Sequence, residues 1–437
     1  MGAAVSVPEC QAHYNITVNC TAKGRNGSEE KSTLPPFTRI GDYDKGGFPG
    51  DPDIAGIGIL GVFVAITSFA VAASTVTAIS RAVALYLKRT DDEENTTERS
   101  RSGVSFPDIL EPLILACSDQ QVFTGAAYAL VLRYWRGCTV SAYHYNIIGN
   151  MMLLTCATHL LSVTIVRNYW RFPWLACLRV LCITGVFMVT GLLMTNQNAD
   201  SALTFPTAIP LTNETDSLLF LPAACFQSSL STVRDTFKET TANAKSFFID
   251  ALGSSTPHNK IQGWNLYIIA LLFYGAAIIA EAFNFIRRGK GKRSWRGRAC
   301  EWVSRLFRLG TLRRGIANVL FLAYLGAGLG VGYTIVIVSA RYIFSLRAWV
   351  HRSGWIQQRD GVNPENDAKS FGQLVPIFSS ALIVFTFAQM ISEKCARPRS
   401  RHAHSDAYHR RGNDGSKGDR PNISGEAKSS TEVSSLL

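Results

Sequence analysis

Ser118, Asp119, Gln120 and Gln121 stand side by side in a window, Leu113–Leu132, that is otherwise largely apolar. At about 100° per residue, four consecutive side chains circle a helix, so no orientation hides all of them on one face. In a nonpolar surrounding such a rung must be enclosed by neighbouring helices or open onto a wet cavity. Thr155, Thr158, His159 and Ser162 follow at i, i+3, i+4 and i+7, a single polar stripe. Arg179 and Glu281 are lone charges in two further apolar windows. At about 1.5 Å per residue, Asp119, His159, Arg179 and Glu281 lie roughly 8–10 Å from the same ends of their helices. An isolated charge at that depth costs about 3 kcal/mol, so pairing is expected. The expected network has Asp119 and Glu281 neutralising Arg179 and a protonated His159. It either staples helices or carries function; taken singly, Arg179 and Glu281 could instead snorkel to the interface. His144 lies about 22 Å from His159 along a helix, so the two cannot share a metal. No metal, cofactor or catalytic residue is assigned.

These residues need a membrane to make sense. The chain has 437 residues, 47% of them hydrophobic and 17% charged, well under the roughly 25% charged of soluble proteins. Seven windows are long and apolar enough to cross a bilayer: 54–79, 113–132, 147–166, 174–195, 264–286, 316–340 and 374–392. The expectation is an all-α, seven-transmembrane-helix bundle over 54–392, between a tail, 1–53, and a disordered end, 393–437. A soluble enzyme is excluded. The net charge of +12 then speaks for a membrane face rather than for nucleic acid, which is not an expected partner.

Basic residues set the orientation. With the N-terminus outside, the inner segments hold 27 and the outer ones 16, and Arg287–Gly315 alone holds eleven. The sequons at Asn15, Asn19, Asn26 and Asn213 then fall outside, and those at Asn95 and Asn422 inside. Met1-Gly2-Ala3-Ala4-Val5-Ser6 fits a myristoylation pattern and opposes this orientation. Of ten cysteines, Cys10, Cys20, Cys138 and Cys225 lie on the oxidising side. Three connectivities are open, and Cys10–Cys20 with Cys138–Cys225 is the simplest.

The loop 196–263 is too long for a mere connector. Leu230, Val233 and Phe237, then Phe248 and Leu252, suggest amphipathic outer helices, read as a lid on the bundle or a surface that collects an outer ligand. Trp295–Gly310 reads as a basic amphipathic helix that meets anionic headgroups or a cytosolic partner. Residues 80–112 read as disordered. Gly326-Ala-Gly-Leu-Gly-Val-Gly332 contains two overlapping GxxxG spacings, suited to close helix packing or to a homodimer seam.

Asp51-Pro-Asp-Ile-Ala-Gly-Ile-Gly58, Cys117-Ser-Asp-Gln-Gln121 with Thr124-Gly125, and Tyr143-His144 resemble a family of multi-span membrane proteins of filamentous fungi. That resemblance implies a membrane bundle over roughly 50–395 and no activity. It hints at an accessory role beside secondary-metabolite enzymes. Likeness to G-protein-coupled receptors is one of topology only: Val166-Arg167-Asn168-Tyr169 lacks the acid of the usual motif. A receptor or sensor in the plasma membrane or another secretory-pathway membrane is the first expectation, a transporter the second, and a membrane hydrolase the third.

Overall fold

The computed structural model describes residues 5–24, 37–91, 107–166, 169, 173–195, 204–227, 261–287, 312–359, 361–367, 373–374 and 376–392. Its helices are α1 (Val7–Tyr14), α2 (Pro52–Ala55), α3 (Ile57–Asp91), α4 (Pro107–Leu130), α5 (Ala142–Ile165), α6 (Pro173–Thr195), α7 (Trp264–Arg287) and α8 (Leu312–Ser353). A last helix, α9 (Pro376–Ser392), follows. The chain divides into a compact unit, 1–387, and a second unit, 388–437, of which only the end of α9 is described.

Four stretches are long and apolar enough to cross a membrane: Pro52–Val83, Ala142–Ile165, Trp174–Met194 and Leu322–Ser353. They match the first, third, fourth and sixth expected windows. The other three windows are helical as well. In α4 the polar rung lowers the mean hydropathy, and the apolar pieces in α7 and α9, Trp264–Ile279 and Pro376–Ser392, are shorter. Phe123, Leu181, Met188, Ile337 and Phe385 point outward and are more than half exposed. So much outward apolar surface calls for lipid cover.

The central helix is α5, packed by α3, α4, α6, α7 and α8, with 94% of its apolar window buried. Gly332 of α8 sits where a Cβ would come within 3.2 Å of Leu161, and Gly328 faces Thr164 of the same helix. Gly326 and Gly330 meet nothing. The glycine run therefore divides, and one of its two spacings packs against α5.

The expected sixth window ends at Ala340, yet α8 continues to Ser353. The extra turns are scaffolding: the Tyr342 hydroxyl donates to the Thr207 carbonyl at 2.7 Å, and Trp349 Nε1 donates to Glu214 O at 2.9 Å. Around them the tail, 133–141, 204–227 and 354–367 assemble a cap at one end of the bundle. The tail adds a small antiparallel sheet of β1 (Ala22–Gly24), β2 (Phe37–Ile40) and β3 (Tyr43–Asp44), in that order, which an all-α expectation missed. Gly41 turns between β2 and β3 at φ +59°, a region that favours glycine. Phe48 bridges to Ile356, and Ser141 to Pro222.

All four candidate cysteines are bonded, but the pairs are crossed relative to expectation: Cys10–Cys138 and Cys20–Cys225. Cys10 is the buried residue of α1 and clusters with Val5, Cys138 and Ala224, which turns its sulfur away from Cys20. Both bridges therefore tie the tail to the rest of the cap. Among the sequons, Asn15 and Asn213 are exposed. Asn19 is half-buried, and its Nδ2 donates to Gly41 O at 3.1 Å and to Asp42 Oδ1 at 3.0 Å. A glycan there would displace one of these bonds. Residues 204–227 pack as a lid, with Leu219, Phe220 and Phe226 buried. Asn26, Asn95 and Asn422, the Glu281 side chain, Leu230–Leu252, Trp295–Gly310 and residues 1–4, 92–106 and 393–437 lie outside the described residues.

Candidate functional site

The rung on α4 sends each side chain to a different neighbour. The Ser118 hydroxyl meets His159 Nδ1 of α5 at 2.8 Å. Asp119 takes Arg179 of α6, whose Nε lies 2.8 Å from Oδ1 and 3.0 Å from Oδ2. Gln120 Nε2 donates to Ser379 Oγ of α9 at 3.0 Å. Gln121 Nε2 donates to Thr67 Oγ1 at 2.8 Å and to Phe63 O at 3.0 Å, both of α3, while its Oε1 accepts from Thr158 of α5 at 3.3 Å. The helix is thus enclosed at this depth, one of the two arrangements the 100° spacing allows. The stripe on α5 faces it, and Ser162 Oγ donates to Ser118 Oγ at 3.3 Å.

Of the expected charge network the Asp119–Arg179 pair is present, and the Glu281 side chain lies outside the described residues. Asp119 closes on Arg179 as a two-toothed pair, and these side chains are 31% and 21% exposed, at the edge of the bundle. Among the described residues His159 takes no carboxylate partner. It is buried between Tyr274 and Tyr169, with Nδ1 on a serine and Nε2 unmatched. Among the described residues the layer holds one ion pair and several neutral hydrogen bonds, with Gln120 Oε1 and His159 Nε2 left over.

The cap holds a second cluster, with Asp216 as its hub. Its carboxylate accepts from the Phe37 N–H (3.1 Å), Lys45 Nζ (3.2 Å) and Trp355 Nε1 (3.0 Å), tying together the tail, the lid and the segment after α8. Burial alone would raise the pKa of this carboxyl, but the hydrogen bonds from Trp355, Lys45 and Phe37 outweigh it and hold the value below normal. A depressed folded-state pKa stabilises above the unfolded value, about 3.9, and that contribution is lost as pH falls through the lower folded value. Hydrogen–deuterium exchange should show the cap loosening below about pH 4. Asp216→Asn should cost about 1.5–3 kcal/mol at neutral pH and flatten that acid dependence.

Above α5 lies a pocket of about 350 Å³ walled by Tyr43, Phe48, Asp53, Arg136, Phe220 and, at its base, Ser141 and His144. Arg136 follows the π-helical turn Val131–Trp135 that ends α4. It pairs with Asp51, and its side chain, 43% exposed, marks the mouth. Ser141 is the N-cap of α5, accepting from the His144 N–H at 3.3 Å. The Ser141 hydroxyl also meets His144 Nδ1 at 2.9 Å. Behind it, His144 Nε2 lies 3.2 Å from Oε1 of Glu365, which is 0% exposed. Glu365 accepts two more bonds, from the Tyr143 hydroxyl at 3.0 Å and the Asp51 N–H at 3.3 Å. Phe48 stacks on the imidazole with ring centroids 5.8 Å apart.

Sequence reasoning missed Ser141, Arg136, Asp216 and Glu365. The available signal was Ser141 three residues before His144 at the head of a span, the pattern of a capped helix start. No protein-family model, curated protein or solved structure matches the chain.

Proposed function

We propose that the chain is a multi-pass membrane receptor or sensor, with its cap and N-terminus on the outer or lumenal side and the basic segment Arg287–Gly315 in the cytosol. The observation that carries this reading is the cap pocket, seated above a layer in which each of Ser118, Asp119, Gln120 and Gln121 is bonded to a neighbouring helix. A closed layer suits a bundle that holds its shape while a ligand is taken from one side. The two cap disulfides and the exposed sequons at Asn15 and Asn213 fit the oxidising side of a secretory-pathway membrane.

Two measurements test it. In sealed microsomes, a membrane-impermeant maleimide should label Asp53→Cys only after the lumen is opened. Labelling in the closed vesicle reverses the orientation and ends the reading. In a thermal-shift screen of small metabolites, hits should vanish in Thr139→Trp, which fills the pocket. If Ser118→Cys instead reacts from both sides of the membrane, the layer opens alternately and the chain is a transporter.

A further inference from the structure

We propose that the cap pocket is an acyl-transfer site in which Ser141 is the nucleophile, His144 its base and Glu365 a positioning residue. The substrate class is a small ester presented from the cap side. This rests on the reading that the pocket receives a ligand and adds what happens to one class of occupant.

The proton positions follow from the partners. Glu365 as a carboxylate only accepts, so His144 Nε2 carries the hydrogen between them. In the neutral ring His144 Nδ1 is then bare, and the Ser141 hydroxyl, 2.9 Å away, donates to it. A nucleophile within reach of a base, and that base held by a third group, is the arrangement acyl transfer requires, whichever ring nitrogen faces the serine. A helix cap alone needs only the serine oxygen facing the His144 N–H. It needs neither the Ser141–Nδ1 bond nor a buried carboxylate 221 residues further along the chain. Ser141 and His144, each 4% exposed, both reach the pocket wall. The N-terminus of α5 favours negative charge developing there. Phe48 and Phe220 supply an apolar side, and about 350 Å³ suits a short acyl group.

In the first step Ser141 Oγ bonds to the ester carbonyl carbon, its proton passes to His144 Nδ1, and the carbonyl π pair moves onto oxygen. Collapse of that oxyanion breaks the bond to the alkoxy group, which leaves as the alcohol with the proton from Nδ1. Water then attacks the acyl-serine, giving its proton to Nδ1. The Oγ–acyl bond breaks, the acid departs, and Ser141 recovers its hydrogen. Ester and water become acid and alcohol, with no redox change.

The test uses the full chain in lipid nanodiscs with a fluorophosphonate probe, which bonds to an activated serine oxygen and loses fluoride. Peptide mass spectrometry should place the adduct on Ser141. Ser141→Asn, which keeps the cap, should abolish it and bring 4-nitrophenyl acetate hydrolysis to background. His144→Gln and Glu365→Gln should slow labelling about 100-fold or more, with part of the rate restored in Glu365→Asp. A non-reducing peptide map showing both disulfides certifies that each variant is folded. Wild-type labelling in Ser141→Asn overturns the proposal. So does a wild-type chain that shows metabolite thermal shifts cancelled by Thr139→Trp yet carries no adduct on Ser141; in that case the receptor reading stands.

Discussion

Asp119→Leu is expected to destabilise the bundle by about 3 kcal/mol, the cost of leaving the Arg179 guanidinium without a carboxylate at that depth. The pair is closed by Arg179 Nε at 2.8 and 3.0 Å from the two carboxylate oxygens, so removal of either partner leaves the other charge unmatched. Unfolding by added anionic detergent, followed by tryptophan fluorescence, reads the loss. The double variant Asp119→Leu with Arg179→Leu should recover most of it, since an ion pair replaced by apolar residues of similar size is often nearly neutral. Equal stability of Asp119→Leu and wild type would mean that Arg179 snorkels to the headgroups and that the pair holds nothing. Gln120→Leu is the internal comparison: it removes one neutral bond to Ser379, for which about 1 kcal/mol is the expected scale.

The polar rung was legible because its cause is local. Four adjacent polar residues on a helix must point in four directions, whatever surrounds them, and α5, α6, α9 and α3 each take one. The stripe from Thr155 to Ser162 was legible for the same reason, since helical spacing places it on one face. The partner of His159 was not legible. Depth ranks ionisable groups along the membrane normal but says nothing about azimuth, so four ionisable groups at one depth looked like one network when His159 meets Ser118 and Arg179 meets Asp119, the next residue round the helix. The cap was less legible still. It is built from short pieces without periodicity, and its central contacts join Phe37 to Asp216 and Tyr143 to Glu365, pairs far apart in the chain. A glutamate in a loop carries no local sign that it will be fully buried. Its identity as a hub exists only once α8 has carried residues 354–367 back over the head of α5.

The crossed disulfides carry the second large expectation. Cys20→Ser with Cys225→Ser should weaken the cap by roughly 4–5 kcal/mol on the chain-entropy scale for long loops, because the bridge joins residues 205 apart. The loss should be local. Cys10–Cys138 still fastens α1 to the turn after α4, so α3 through α9 keep their packing while the sheet and the stretch from Tyr43 to Asp51 come loose. Those residues form one wall of the pocket, and Phe220 and Pro222, close to Cys225, form another. The double serine variant should therefore lose ligand-induced thermal shifts and become sensitive to protease in 37–50, with an unchanged detergent-unfolding midpoint for the bundle. A cap fastened by Cys10–Cys20 and Cys138–Cys225 would behave in the opposite way: its tail would be free already, and cutting at 37–50 would not depend on Cys225. Non-reduced peptide mapping decides the pairing directly, and a Cys10–Cys20 peptide would remove the wall from which the pocket is made.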